Sequence, residues 1–149
     1  MGTTHELRSI VVGVDGSPNA GQAIERAVEL ASARGARVVA IHALGLLAHL
    51  RVGEPPVPIE ECRDELQRLF EEEWCGPLRA AGVPYTAELV AGDSVGALIS
   101  AAEREDAWVV VVGMRGHRPY GAGPLGSTSL QLVLESRRPV LVVPPPAVG

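Results

Sequence analysis

Five short aliphatic runs punctuate the sequence, with stretches of helical spacing between them. They are Ile10-Val11-Val12-Gly13-Val14, Arg37-Val38-Val39-Ala40-Ile41-His42-Ala43, Pro84-Tyr85-Thr86-Ala87-Glu88-Leu89-Val90, residues 108–112, and Pro139-Val140-Leu141-Val142-Val143. Each is short and most are valine-rich, so each predicts a strand. Strands that are apolar throughout bury both faces, and strands separated by helices form a parallel sheet. The third run alternates, which places it near a sheet edge. The expectation is an α/β protein: one domain over residues 1–149, a five-stranded parallel sheet, helices on both faces. Hydrophobic residues make up 46 % and aromatic residues only 3 %, so the core must be aliphatic.

The intervening stretches carry helix signals. Ser17 is a fitting N-cap and Pro18 suits the first helical position. Ala20, Ala23, Ile24, Ala27, Val28 and Ala31 follow at helical spacing, and Gly35 is the expected stop. Residues 60–81 predict a second helix with Cys62, Leu66, Leu69, Phe70 and Leu78 on one stripe. Gly76-Pro77 should kink or divide it, because proline lacks the backbone donor. Glu71, Glu72 and Glu73 read as a solvated face. Between residues 44 and 59 the chain is proline-rich and reads as a mobile connection, with a helical turn near Leu46. Gly92-Asp93-Ser94 opens a third helix carrying Val95, Leu98, Ile99 and Ala102, and Leu130 to Leu134 belong to a fourth.

Several function classes fall away. A net charge of −5 disfavours a nucleic-acid surface. All thirteen cationic residues are arginine. Without lysine there is no Walker A loop and no Schiff-base chemistry. Cys62 and Cys75 lack metal-type spacing and read as apolar core residues. The four histidines, 5, 42, 49 and 117, show no ligand spacing; His42 reads as packed or capping, and His117 as a candidate phosphate contact. No serine elbow and no assembled acid–base pair is visible, so no catalytic residue is assigned. The polar start shows no secretory signal, and no run reaches the ~18 apolar residues of a membrane span. The expectation is a cytoplasmic protein with no membrane partner.

The loop after the fourth strand is the informative one. It holds glycines at 113, 116, 121, 123 and 126, then Ser127-Thr128-Ser129 at the start of the fourth helix. Ser127 and Thr128 are candidate caps, and Thr128 with Gln131 fits a capping box. A strand, a glycine-rich turn and a helix N-terminus together make an anion site. Arg115, His117 and Arg118 add cationic groups. The same composition also suits a plain solvent-facing loop. Asp15, before Gly16-Ser17-Pro18, has two readings as well: a ligand contact, or an aspartate that closes a turn.

Gly113-x2-Gly116-x9-Gly126-Ser127 reproduces the G-x2-G-x9-G-[ST] signature of the ATP-binding branch of the universal stress protein family. The chain resembles that family over nearly its whole length. The resemblance implies an adenine nucleotide alpha hydrolase-like, doubly wound fold with strand order 3-2-1-4-5. That order sets strands one and four side by side, with Asp15 facing the glycine loop across a crevice. By resemblance, Gly13, Val14, Asp15 and Ala43 hold ribose and adenine, with Ala43 replacing a larger residue. Gly113, Met114, Arg115, Gly116, Gly126, Ser127, Thr128 and Ser129 hold phosphates, and Gly92 forms a turn near the nucleotide. The implied ligand is ATP, with ADP or AMP as alternatives, and Mg²⁺ or Mn²⁺ bridging phosphates rather than held by protein ligands. Residues 139–143 resemble the strand through which family members dimerise. Trp108, where the family often has a small acidic residue, and the Gly/Pro-rich segment 117–125 are departures. The implied function is a nucleotide-dependent stress-response regulator. Its alternatives are a nucleotide-free dimeric interaction module and a weak ATP hydrolase.

Overall fold

The computed structural model describes residues 8–44, 59–115 and 125–145. The connection around Leu46, the side chain of Cys62, Gly116, and His5, His49 and His117 lie outside those residues. The elements are β1 (Ser9–Gly13), α1 (Pro18–Arg34), β2 (Arg37–Ala43), α2 (Ile59–Leu69), a π-helical turn (Phe70–Trp74) and α3 (Gly76–Ala80). They continue with β3 (Tyr85–Val90), α4 (Ser94–Arg104), β4 (Ala107–Gly113), α5 (Ser127–Glu135) and β5 (Val140–Val143).

The five strands form one parallel sheet in the order β3-β2-β1-β4-β5. The order 3-2-1-4-5 implied by the family resemblance is the observed one. Strand periodicity divides the core in two, because successive side chains point to opposite faces. Ile10, Val12, Val38, Ala40 and Val111 pack with Ala23, Ile24 and Ala27 of α1 and with Phe70 and Leu78. Val11, Val39, Ile41, Val110 and Val112 pack on the other face with Leu98 and Ala101 of α4 and Leu132 of α5. The second layer holds no aromatic and is closed by small branched side chains, whereas the first includes buried Phe70 with Trp74, Tyr85 and Trp108 packed against it.

Local chemistry explains the element ends. The Ser17 hydroxyl accepts from Ala20 N at 3.2 Å, and Gly35 closes α1 in the left-handed region, φ 65°. Asp93 caps α4 through Gly96 N at 2.8 Å. The division expected at Gly76-Pro77 is present, and it is wider than proline alone requires. Cys75 N donates to Phe70 O at 3.0 Å, an i→i+5 bond. The Arg79 guanidinium donates to the carbonyls of Glu71 and Glu72 at 3.2 and 2.9 Å. It thus satisfies acceptors near the widened turn, while Glu71, Glu72 and Glu73 are exposed as read from sequence.

At the N-terminal edge of the sheet, arginines pair with the acidic end of α4. Arg37 pairs with Glu105, and Arg138 with Asp106 and Glu103, while Arg104 of α4 itself pairs with Glu88 of β3. The Arg34 guanidinium lies 4.7 Å from the Trp108 ring centroid. Trp108 thus sits one strand length from the carboxyl edge, where β1 and β4 deliver the loops of interest.

Candidate functional site

β1 and β4 are neighbours, and the chain leaves them in opposite directions: toward α1 on one side and α5 on the other. Their carboxyl ends therefore open a crevice, the expected place for a ligand in a doubly wound sheet. The crevice encloses about 590 Å³. Gly13, Val14, Asp15 and Ala43 line one side; Gly113, Arg115, Gly126, Ser127, Thr128 and Ser129 line the other. Residues separated by more than 110 positions in sequence thus share one cavity. His42, Ser94 and Leu98 complete the wall between them.

The first side is built from a tight turn. Asp15 Oδ1 accepts from Ser17 N at 2.9 Å and from the Ser17 hydroxyl at 2.5 Å. Asp15 thus closes the turn, as the second sequence reading held, while also bordering the cleft. His42 Nδ1 lies 2.6 Å from the Val14 carbonyl, which only accepts, so that nitrogen carries the proton. The ring is edge-on to Trp74, centroids 5.1 Å apart.

On the second side, α5 begins at Ser127 with Gly126 as N-cap, φ −67° and ψ 162°, and no side chain caps it. The expected caps Ser127 and Thr128 lie inside the first turn instead, facing the cleft, and Gln131 bonds to Glu135 rather than closing a box. The reason is that glycine supplies the extended cap backbone one residue earlier. The leading N–H groups of a helix have no intrahelical partner, so the turn presents donors.

Loop placement depends on a residue that the sequence reading passed over. Asn19, only 5 % exposed, accepts at Oδ1 from Arg115 N at 2.8 Å and donates from Nδ2 to Val143 O at 3.0 Å. It joins the first turn of α1 to the exits of β4 and β5. A signal was available: positions 19, 23, 27 and 31 form one helical stripe, and Asn19 is its polar member. Ser129 assists from the other direction, its hydroxyl donating to Gly113 O at 2.7 Å.

The sequence profile of the universal stress protein family matches residues 6–144. The chain belongs to that family. A universal stress protein of Thermus aquaticus is 34 % identical over 138 residues, covering 92 % of this chain and 98 % of the relative. One from Mycobacterium tuberculosis is 33 % identical over 137 residues, covering 89 % of this chain. This chain spans only 43 % of that relative's length. Among solved structures, a universal stress protein in complex with cAMP superposes with TM-score 0.70 at 26 % identity, covering 91 % of this chain and 96 % of the other.

Within this universal stress protein fold, four of the residues implied by resemblance also have structural parts. Gly92 does not line the cleft; it adopts φ +101° and turns the chain into the Asp93 cap. Met114 does not line it either. Its N–H donates to Val143 O and its carbonyl accepts from Gly126 N, both at 2.8 Å, so its backbone fastens the loop. Ser129 lines the cleft, and its hydroxyl also donates to Gly113 O at the β4 exit. Gly113 is crowded as well, since a Cβ there would lie 3.0 Å from the Asn19 backbone oxygen. Cys75 is buried, and burial pushes its thiol up to about 11, so it is no nucleophile near neutral pH. Among the described residues, no group of three or more His, Cys, Asp or Glu could hold a metal ion. No helix among them is long and apolar enough to cross a membrane.

Proposed function

We propose that the protein binds an adenine nucleotide, ATP in the first instance, in this crevice and acts as a nucleotide-dependent regulator in the cytoplasm. One observation carries the reading: a carboxylate and a helix N-terminus with two hydroxyls face each other across a cavity of about 590 Å³. That volume falls within the roughly 300–1,000 Å³ of small-molecule sites. The chemistry fits the two ends of a nucleotide. Ser127 and Thr128, with the leading amides of α5 and Arg115, supply donors and positive potential for phosphates. Asp15 is an acceptor suited to ribose hydroxyls, and Val14 and Ala43 give an apolar edge for the base. Gly116 would complete the phosphate loop. A magnesium or manganese ion would neutralise phosphate charge, held chiefly by the phosphates and water. The cAMP complex of a related protein supports an adenine nucleotide.

The test is extraction of nucleotide from the purified protein, with mass identification. Wild type is expected to carry adenine nucleotide, and Gly116→Glu, which sets a carboxylate in the glycine loop, to carry little. An empty wild type, or equal content in the two preparations, overturns the reading and favours a nucleotide-free interaction module. Turnover of added ATP, absent in the Asp15→Ala control, would identify a weak hydrolase.

The protein is further proposed to be a homodimer through β5. β5 is a sheet edge whose Leu141 is 38 % exposed, and Leu130, Val133 and Leu134 of α5 are 48–74 % exposed. An uncovered edge and exposed large apolar side chains both call for a partner. Sedimentation is expected to give a dimer for wild type and a monomer for Leu141→Asp; a monomeric wild type would refute it.

A further inference from the structure

We infer that Trp74, delivered by the π-helical turn, is the positioning residue for the nucleoside end of the cleft; this rests on the nucleotide reading above. Trp74 does not line the cavity. It touches what does. Gly16 adopts φ +79°, and a Cβ there would fall 2.4 and 2.6 Å from indole carbons Cζ2 and Cε2. The indole therefore occupies the space a side chain at Gly16 would need, pressed against the turn between Asp15 and Ser17. It also meets the His42 ring, at 5.1 Å and an interplanar angle of 76°, and the Phe70 ring at 5.9 Å. Phe70 meets the same imidazole at 6.0 Å. His42 in turn holds the Val14 carbonyl at 2.6 Å. Two short chains of contact thus run from Trp74 to cleft-lining groups, one through Gly16 to Asp15 and one through His42 to Val14.

The π turn is what makes these contacts possible. Each residue of an α-helix advances about 100° around the axis, so one residue accommodated in a wider turn redirects all that follow. Here Phe70 stays fully buried in the core while Trp74, four residues later, reaches the β1 exit. Arg79, bonded to the Glu71 and Glu72 carbonyls, supports the widened turn. The π turn thus ends with Trp74 packed along the margin of the core and, at the same time, against the glycine turn that borders the cavity.

The predicted signature is loss confined to the nucleoside end. By calorimetry with Mg²⁺ present, Trp74→Ala is expected to bind ATP about tenfold more weakly than wild type. Its affinity for inorganic tripolyphosphate should be unchanged, because α5 is untouched. Trp74→Phe, which keeps an aromatic edge against His42, should stay within about threefold of wild type. Trp108 is the other tryptophan and lies at the far edge of the sheet, so in Trp108→Phe protein the emission reports Trp74 alone. That emission is expected to change on saturation with ATP, which keeps the inference testable if Trp74→Ala fails to fold. Unaltered ATP affinity in Trp74→Ala, with wild type binding, overturns the inference and leaves the nucleotide reading standing. Equal losses for ATP and tripolyphosphate, or unchanged Trp74 emission at saturation, also overturn it. A wild type that binds no ATP removes both.

Discussion

Replacing Asp15 by alanine is expected to weaken adenine nucleotide binding roughly a hundredfold, because an ionised acceptor for ribose hydroxyls disappears. The structure shows that a second effect must be separated from this one. Asp15 Oδ1 also accepts from the backbone N–H and hydroxyl of Ser17, whose side chain caps α1. Alanine therefore loosens the turn, at about 1 kcal/mol in unfolding free energy. Asp15→Asn distinguishes the two effects. Its amide oxygen still accepts from Ser17, so stability should stay near wild type while the charge is gone. Calorimetric titration with ATP, beside chemical denaturation, checks both variants. Binding that survives in Asp15→Ala would remove this carboxylate from the site.

Asn19→Ala is expected to have the largest effect on stability, about 2 kcal/mol. The estimate follows from burial. Arg115 N loses its Asn19 acceptor in a region where Asn19 is 5 % exposed, while Val143 O loses one of two donors and keeps Met114 N at 2.8 Å, so the desolvation penalty falls chiefly on one group. A binding loss should accompany it, since the same bond positions Arg115 on the cleft wall. Denaturant unfolding supplies the first measurement and ATP titration the second. A stability change below about 1 kcal/mol would show that this clamp does not hold the loop.

These two residues differ in how visible they are. Asp15 stands next to Gly16-Ser17-Pro18, a local pattern that marks a strand end and a helix start, so its place is legible in contiguous sequence. Asn19 looks like an unremarkable polar residue in a helix. Its significance lies in bonds to residues 96 and 124 positions away, which no window of contiguous sequence contains. Trp74 is similar: Gly76-Pro77 announced a break, yet nothing local said that a π turn would carry an indole to Gly16. Gly113 was legible as a motif position, but the neighbour that crowds a side chain there belongs to α1. The capping error at Ser127 and Thr128 has a local cause. Gly126 and Ser127 are both acceptable N-caps, and sequence spacing does not choose between adjacent candidates.

Sequence alone determined the strands and the helices between them, because periodicity and end signals are properties of contiguous residues. It also determined the mainly aliphatic character of the core. Only the tertiary structure decided which polar groups at the carboxyl edge meet one another. Winding α1 and α5 away from adjacent parallel strands brings Asn19 to Arg115 and Asp15 to the rim opposite Ser127. That juxtaposition depends on how the connections cross the sheet, and it is encoded by the packing of the whole domain rather than by any segment of it.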